Sequence, residues 1–153
     1  MRILAAIDGS AFSEEVIDTV IAQAKAPGTE VQVLHVLERL PALQHGALVW
    51  ESITDEQRAI GRHLVYSAAE RLRSAGIQVT TLIREGKAKS IIVDTADQWL
   101  ADLIMVGSHG FGWVERFLLG SVSEAVARHA HCSVQIVRVR KAEVQEPPQS
   151  IPA

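Results

Sequence analysis

The chain has 153 residues, of which 48% are hydrophobic and 22% charged, with a formal net charge of −3 and a single cysteine, Cys132. This length fits one domain that buries roughly 70% of the surface of its unfolded form, so folding needs no disulfide or structural metal. The negative net charge excludes an overall positive surface of the kind that binds nucleic acid. No apolar run reaches the roughly 18 residues of a membrane span. One cysteine excludes an internal disulfide and a cysteine-based zinc site.

The first segment, residues 2–8 (RILAAID), is a nearly continuous apolar run, which is typical of a strand buried on both faces. Its apolar core is too short for a secretory signal, so we expect a cytoplasmic protein. Ser13 is predicted to cap the following helix, because Glu14 and Glu15 suit the positive end of a helix. Residues 27–28 (PG) are predicted to end this helix.

The next segments continue the alternation between strand and helix. Residues 31–38 (VQVLHVLE) are predicted to form a strand, and a longer connection covers residues 39–53. Thr54 and Gln57 have the spacing of a capping box, which predicts that a helix begins there. Gly76 stands where a residue in the left-handed conformation ends a helix.

The second half predicts two more helices and three strands. Residues 77–83 (IQVTTLI) alternate only partly, so we place this strand near an edge of the sheet. A helix over 88–100, a fully apolar strand over 103–107, a helix from Ser121 to about His131 and a strand over 133–139 follow. The alternation predicts one α/β domain over residues 1–139, a mostly parallel sheet with helices on both faces. The polar, proline-containing tail from Arg140 is expected to be disordered.

A ligand site is expected where the two most apolar strands end, at Asp8 and at Gly107. In open α/β sheets, ligands bind beyond the carboxyl ends of the strands, at the point where the strand order reverses. If these two strands are neighbours, the Asp8 carboxylate faces the loop that follows Gly107. A carboxylate beside a phosphate-binding loop is a common way to hold a metal–nucleotide complex.

That loop is rich in glycine, with Gly107, Gly110, Gly112 and Gly120, and a helix begins directly after it. Glycines let several backbone N–H groups point at one anion, and the free N–H groups of a helix N-terminus add to them. The hydroxyl groups of Ser121 and Ser123 are expected to be further donors.

The loop matches neither of the two best-known phosphate motifs. In the Walker P-loop pattern that starts at Gly107, Trp113 stands where the lysine should be. In the dinucleotide fingerprint that starts at Gly110, Glu115 stands where the third glycine should be.

The loop does follow the pattern G-x2-G-x9-G-[ST], over Gly107, Gly110, Gly120 and Ser121. Together with ILAAIDGS, LHV, VGSHG, LLGSVSEAV and VQIVRV, this pattern resembles the nucleotide-binding branch of the universal stress proteins, over residues 2 to about 139. The resemblance implies a Rossmann-like, adenine nucleotide alpha hydrolase-like fold whose five parallel strands have the order 3-2-1-4-5. It also implies a homodimer, in which the last strands pair antiparallel, and ATP as the ligand. Asp8 is expected near the ribose or at a Mg²⁺ or Mn²⁺ ion that accompanies the nucleotide.

The resemblance also implies a set of nucleotide-binding residues. They are Ala6, Ile7 and Asp8 against the adenosine, the Val36 backbone at the adenine edge, Val106 as an apolar contact, and Gly107, His109, Gly110, Gly120, Ser121, Val122 and Ser123 around ribose and phosphates. The family often has a proline where this chain has Lys87 after Gly86, so the local turn is not carried over.

Several functions remain open at this stage. The leading hypothesis is an ATP-binding stress-response protein, a dimeric sensor or switch in which nucleotide orders the loop of residues 107–120 for an unidentified regulatory protein partner. A weak ATPase or phosphotransferase is the second, although no Walker lysine or water-positioning base is evident. The third is a stress-induced interaction module with a vestigial or different site, for AMP or cAMP. His109 is assigned a conformational or hydrogen-bonding role, and the cluster of His129, His131 and Cys132 is interpreted as structural.

Overall fold

The computed structural model describes residues 1–111 and 119–139 of the chain. The predicted tail from Arg140, and the loop positions Gly112, Trp113 and Glu115, lie outside these described residues. The elements, in chain order, are β1 (Arg2–Ala6), α1 (Ala11–Gln23), β2 (Glu30–Leu37), β3 (Pro41–Gln44), β4 (Ala47–Trp50), α2 (Asp55–Ser74), β5 (Gln78–Glu85), α3 (Ala88–Trp99), β6 (Leu103–Gly107), α4 (Ser121–His129) and β7 (Ser133–Val137). Within the described ranges, no helix has the length and apolar character that a membrane crossing requires.

Five of the strands form one parallel sheet in the order β5-β2-β1-β6-β7. Counted among themselves, these strands have the order 3-2-1-4-5, as predicted. The apolar strands β1 and β6 are central neighbours, with Ile3 opposite Leu103, and β5 lies at an edge as expected. The strand order therefore reverses between β1 and β6, where a ligand site was predicted.

Side chains from both faces of the sheet are buried, because helices cover each face. On one face Ile3 and Val33 pack against Val16 of α1 and Leu72 of α2. On the other face Leu4, Leu34 and Ile104 pack against Ile92 of α3 and Val126 of α4. The central strands contribute alternately to both clusters, which explains their continuous apolar sequences.

The predicted start of α1 was wrong by three residues. The helix begins at Ala11, and Ser10 occupies the N-cap position without a side-chain cap bond. Ser13 lies in the first turn, where its hydroxyl accepts hydrogen bonds from the backbone N–H groups of Asp8 and Gly9, at 2.9 and 3.1 Å. Ser13 thus ties the helix to the loop that precedes it instead of capping the helix.

The predicted ends of α2 are confirmed. Thr54 and Gln57 form a reciprocal capping box at its N-terminus, with bonds of 3.1 and 2.8 Å. Gly76 has a φ of +78°, the left-handed conformation that follows many helix ends.

A β-hairpin, β3–β4, lies inside the connection over residues 39–53, where no element was predicted. Its strands pair antiparallel, with Pro41 opposite Trp50 and Leu43 opposite Leu48. The two turn residues between the strands, His45 and Gly46, both have positive φ, at 50° and 77°. A type I′ turn requires this conformation at both positions, and it matches the twist of the flanking strands.

Candidate functional site

A cavity of about 820 Å³ lies at the carboxyl ends of the central strands. This volume falls within the range of small-molecule pockets. All the predicted binding residues line the cavity: Ala6, Ile7, Asp8, Val36, Val106, Gly107, His109, Gly110, Gly120, Ser121, Val122 and Ser123. Further lining residues that sequence reasoning did not assign to the site include Phe12, Ser13, Leu34, His35, Glu38, Leu40, Ala88, Ile92 and Phe111.

The Asp8 carboxylate is held in position by the start of α1. Its Oδ1 accepts hydrogen bonds from the Ser10 backbone N–H and the Ser13 hydroxyl, both at 2.9 Å. Asp8 lines the cavity, and its Oδ2 lies so close to Gly110, another lining residue, that a Cβ there would collide with it. The bonds to Oδ1 therefore fix the carboxylate with its other oxygen against Gly110.

The carboxylate oxygen suits Mg²⁺ or Mn²⁺ only if the nucleotide and water supply most of the ligands. The described residues contain no group of three or more His, Cys, Asp or Glu side chains that could hold a metal ion. Mg²⁺ is usually bound through one or two carboxylates together with phosphates and water, and Asp8 Oδ2 fits that pattern.

The two ends of the glycine-rich loop are tied together by the Ser108 backbone. The Ser108 carbonyl accepts hydrogen bonds from the Gly120 N–H at 2.7 Å and from the Ser123 hydroxyl at 2.8 Å. The Ser108 N–H donates to the Val137 carbonyl at 2.7 Å, which joins this point to β7. The first and last residues of the loop are therefore held next to each other at the ends of β6 and α4.

The loop returns into the N-terminus of α4, which faces the cavity. Gly120 is the N-cap and provides no side chain, and its carbonyl accepts the bond from the Glu124 N–H at 3.0 Å. The N–H groups of Ser121, Val122 and Ser123 belong to the first turn, which lacks intrahelical acceptors. With the positive end of the helix dipole, they form a site suited to an anion.

Gly120 leaves little room for a side chain at this position. A Cβ there would lie 3.2 Å from both the Ser108 carbonyl oxygen and the His109 Cα. Both obstacles are backbone atoms, and the Ser108 carbonyl is held by the bonds that close the loop. A branched residue would therefore displace the loop or fill the cavity.

The Ser123 hydroxyl does not have the role expected of it. Ser123 is buried, and its Oγ donates to the carbonyls of Ser108 and Gly120. Its hydroxyl hydrogen is thus engaged within the protein, whereas Ser121 is exposed at the cavity. The hydroxyl of Ser123 is therefore not free to donate to a ligand, and Ser121 is the more exposed of the two serines.

His109 packs within the loop in a manner that agrees with the predicted conformational role. Its Nδ1 lies 3.1 Å from the Ser108 hydroxyl oxygen. Its ring centroid lies 5.5 Å from that of Phe12, with the rings tilted by 49°. Phe12 also packs closely on Gly107, where a Cβ would lie 2.6 Å from the Phe12 Cβ. Phe12 therefore sets the position of the loop from the side of α1.

His35 is a cavity residue that sequence reasoning missed. Its Nδ1 lies 2.8 Å from the Ile7 carbonyl oxygen, where it can donate a hydrogen bond to the segment that carries Asp8. Gly61 of α2 allows the ring to fit, since a Cβ there would lie 3.0 Å from the His35 Cδ2. A histidine within the apolar second half of β2, residues 33–37, was the signal that could have identified it.

The turn after Gly86 is closed by Glu38. The Glu38 carboxylate accepts a hydrogen bond from the Ala88 N–H at the start of α3, and the Gly86 N–H donates to the Leu37 carbonyl at 3.0 Å. Lys87 is the N-cap and makes no side-chain cap bond. A carboxylate that follows β2 thus caps α3 in place of a local residue.

The histidines and cysteine near the end of α4 do not line the cavity. His131 Nδ1 lies 2.9 Å from the Asp97 carboxylate, and Cys132 is half-buried nearby. Partial burial raises the pKa of the Cys132 thiol, and the negative charge of Asp97 raises it further.

The chain is similar to known proteins in both sequence and fold. A family model described as the universal stress protein family matches residues 1–138. A protein of Staphylococcus aureus (strain USA300) described as a universal stress protein is 33% identical over 151 residues, which cover 97% of this chain and 90% of the relative. The solved structure of hypothetical protein MJ0577 has a TM-score of 0.76 at 23% identity, over 92% of this chain and 97% of the other.

Two further solved structures contain nucleotides. A universal stress protein in complex with cAMP has a TM-score of 0.69 at 24% identity, over 90% of this chain and 96% of the other. The Archaeoglobus fulgidus universal stress protein in complex with dAMP has a TM-score of 0.68 at 24% identity, over 90% of this chain and 97% of the other. At these identities the structural likeness shows a shared fold.

Proposed function

The chain belongs to the universal stress protein family, and on that premise we propose that it is a cytoplasmic ATP-binding protein that acts as a dimeric, nucleotide-dependent switch in the stress response. One observation carries the proposal: the Asp8 carboxylate and the N-terminus of α4 line the same cavity. A cation site and an anion site in one pocket match the two needs of a metal–nucleotide complex.

The apolar wall of the cavity supports an adenine nucleotide in particular. Leu34, Val36, Ile92 and Val106 offer an apolar surface for a base, while the backbone of the two loop ends offers N–H donors for phosphates. Family members with this fold have been solved with cAMP and dAMP. In the proposed complex, the adenosine lies along residues 6–8 and the Val36 backbone reads the adenine edge.

ATP is preferred within this class because the anion-binding backbone extends along the cavity. Gly107 and Gly110 lie at one end of the loop, and Gly120 and Ser121 lie at the other, at the helix N-terminus. A chain of several phosphates can contact more of this backbone at once than a single phosphate can. Asp8 Oδ2 would hold Mg²⁺ or Mn²⁺, and such an ion would neutralise part of the phosphate charge.

The switch in this proposal acts through the loop over residues 107–120. A phosphate chain bound to Gly110 and to Gly120 would fix both described ends of the loop, and so define the surface that a regulatory protein contacts. The outer edge of β7 is the proposed dimer contact, because it ends the sheet and can pair with the same strand of a second copy.

The test is mass spectrometry of the nucleotide released from freshly purified, denatured protein. We expect ATP at near one molecule per chain in the wild type, and none in Gly120→Val, because the valine occupies space bounded by the Ser108 and His109 backbone. Asp8→Ala is also expected to purify without nucleotide. Ala127→Val introduces the same side chain at an exposed position of α4 and should retain the nucleotide.

Full occupancy in both Gly120→Val and Asp8→Ala would contradict the site. A wild type that carries AMP or cAMP instead of ATP would keep the cavity but reject the ATP assignment. Repeated phosphate release that Asp8→Ala abolishes would favour the weak ATPase over the switch.

A further inference from the structure

Glu38 places a carboxylate at the end of the apolar wall of the cavity. It directly follows β2, whose Leu34 and Val36 contribute to the apolar cluster that includes Ile92 of α3. Side chains two residues apart along a strand lie on the same face, so Glu38 continues the line of Leu34 and Val36. All three of these β2 residues line the cavity. The surface proposed for the base is therefore bordered by a carboxylate where β2 ends.

The Glu38 carboxylate is held in place by the start of α3. Its Oε1 accepts a hydrogen bond from the N–H of Ala88, the first residue of that helix, and Ala88 also lines the cavity. The backbone is fixed at the same place, since the Leu37 carbonyl accepts a bond from the Gly86 N–H at 3.0 Å. A carboxylate accepts several hydrogen bonds through its two oxygens, so Oε2 remains able to accept one from a ligand. A group that is already ordered loses little conformational entropy when a ligand binds.

The helix N-termini at the cavity differ in what they offer to a phosphate. The first-turn N–H groups of a helix attract anions. At α3 this place is taken by Glu38, whose carboxylate is bound to the Ala88 N–H. At α4 the N-cap is Gly120, which has no side chain, and the acidic residue of the first turn, Glu124, forms an ion pair with Arg128 at 3.0 Å. Phosphates are therefore attracted to α4 and repelled by Glu38, which favours a nucleotide with its base toward β2.

The chemistry of a carboxylate decides which base edge it can meet. An ionised carboxylate accepts hydrogen bonds and donates none. Adenine presents an exocyclic amino group, which is a donor. A hydrogen bond in which one partner is ionised is about twice as strong as one between neutral groups. A purine that lacks the amino group carries only a C–H at that position and loses the bond.

We propose that Glu38 is a specificity-determining residue, whose carboxylate accepts a hydrogen bond from the exocyclic amino group of adenine while the Ala88 N–H holds it in position. This inference rests on the proposed function, because it requires a nucleotide whose base lies against β2. It adds a side chain to the recognition of the base that was assigned to the Val36 backbone.

The test measures the affinities of ATP and purine riboside triphosphate, which differ only in the amino group, by isothermal titration calorimetry with magnesium. In Glu38→Gln the amide oxygen keeps the bond to the Ala88 N–H, and the amide NH₂ group, a donor, takes the place of Oε2. We expect the wild type to bind ATP more tightly than the analogue by roughly tenfold or more, and this ratio to fall by roughly tenfold in Glu38→Gln.

The matched control is Glu51→Gln, which removes the same charge at an exposed position that does not line the cavity. It should keep the wild-type ratio of affinities. Both ligands carry the same triphosphate, so a general change in electrostatic attraction cancels in the ratio. Both variants should retain the wild-type circular dichroism spectrum and unfolding temperature, since the bond to Ala88 is preserved in Glu38→Gln.

Equal ratios in the wild type and Glu38→Gln would overturn the inference, as would an equal fall of the ratio in Glu51→Gln. Loss of both ligands in Glu38→Gln alone, with an unchanged unfolding temperature, would also overturn it, because the binding of the phosphates would then depend on Glu38. A wild type that binds neither ligand would reject the nucleotide site itself, and the inference with it. Binding that Gly120→Val abolishes, with one ratio in the wild type and both glutamine variants, would keep the proposed function and reject only the role of Glu38.

Discussion

Gly110 differs from the other glycines of the site in what blocks a side chain there. At Gly107 and Gly120 the obstacles are the Phe12 side chain and the loop backbone, which belong to the packing of the protein. At Gly110 the obstacle is Oδ2 of Asp8, a residue that lines the cavity. A side chain at position 110 therefore acts first on the group proposed to meet the ligand.

We expect Gly110→Ala to weaken the binding of magnesium-ATP by roughly tenfold, about 1.4 kcal/mol. The methyl group forces the Asp8 carboxylate to rotate, which breaks the bonds of Oδ1 to Ser10 and Ser13. Isothermal titration calorimetry measures the change.

The matched control for this prediction is Gly28→Ala. Gly28 has a φ of +76°, and a methyl group added there would meet no atom within 4 Å. The residue does not line the cavity. The substitution should lower the free energy of unfolding by about 1 kcal/mol, because a left-handed alanine is strained, while the affinity stays unchanged. Affinity that falls equally in both variants, or in neither, would refute the role given to Gly110.

At the scale of the elements, the sequence predicted the two ends of α2 and missed the role of Ser13 and the β3–β4 hairpin. The capping box of α2 and the left-handed Gly76 were predicted, because the signals lie within a few residues of the helix ends. Ser13 was misassigned because its hydroxyl binds the loop before the helix. The hairpin was missed because its strands have four residues each and its turn has His45 where Asn or Asp is the usual signal.

We expect Thr54→Ala to lower the free energy of unfolding by about 1 kcal/mol, since it removes the acceptor for the Gln57 N–H and half of the capping box. The midpoint of thermal unfolding should fall by roughly 2–4 °C. Ser67→Ala, at an exposed position inside the same helix, is the control and should not destabilise the protein. A loss in the control as large as in Thr54→Ala would show that the capping box contributes nothing.

For the whole molecule, the alternation of apolar strands and helices along the sequence predicted both the central strands and the position of the cavity. The two most apolar segments became the central neighbours β1 and β6, and their ends brought Asp8 and Gly107 to one pocket. The assignment of individual hydroxyls did not follow, because the sequence does not show that Ser123 is bonded to the Ser108 carbonyl. Nor does it show that Glu38 caps a helix that begins at residue 88.

We expect ATP with magnesium to raise the stability of the whole domain, because a ligand that binds only the folded state shifts the unfolding equilibrium. At a ligand concentration of about 100 times Kd, the gain is about 2.7 kcal/mol. Thermal unfolding at increasing ATP concentrations measures it, and Asp8→Ala should show a smaller shift. A midpoint that does not move with ATP, or that moves in Asp8→Ala and Gly120→Val as far as in the wild type, would contradict the proposed site.

The groups proposed to meet an anion in the cavity are main-chain amides at the start of α4, and this has a practical consequence for scanning mutagenesis. An alanine scan deletes side-chain atoms, and no deletion removes the N–H groups of Ser121 or Val122. Such a scan would detect a loss of nucleotide binding at Asp8 and little change at most other residues of the pocket. A scan that replaces small residues with larger ones, beginning with Gly110 and Gly120, would instead identify the pocket, because each added side chain blocks part of the binding space.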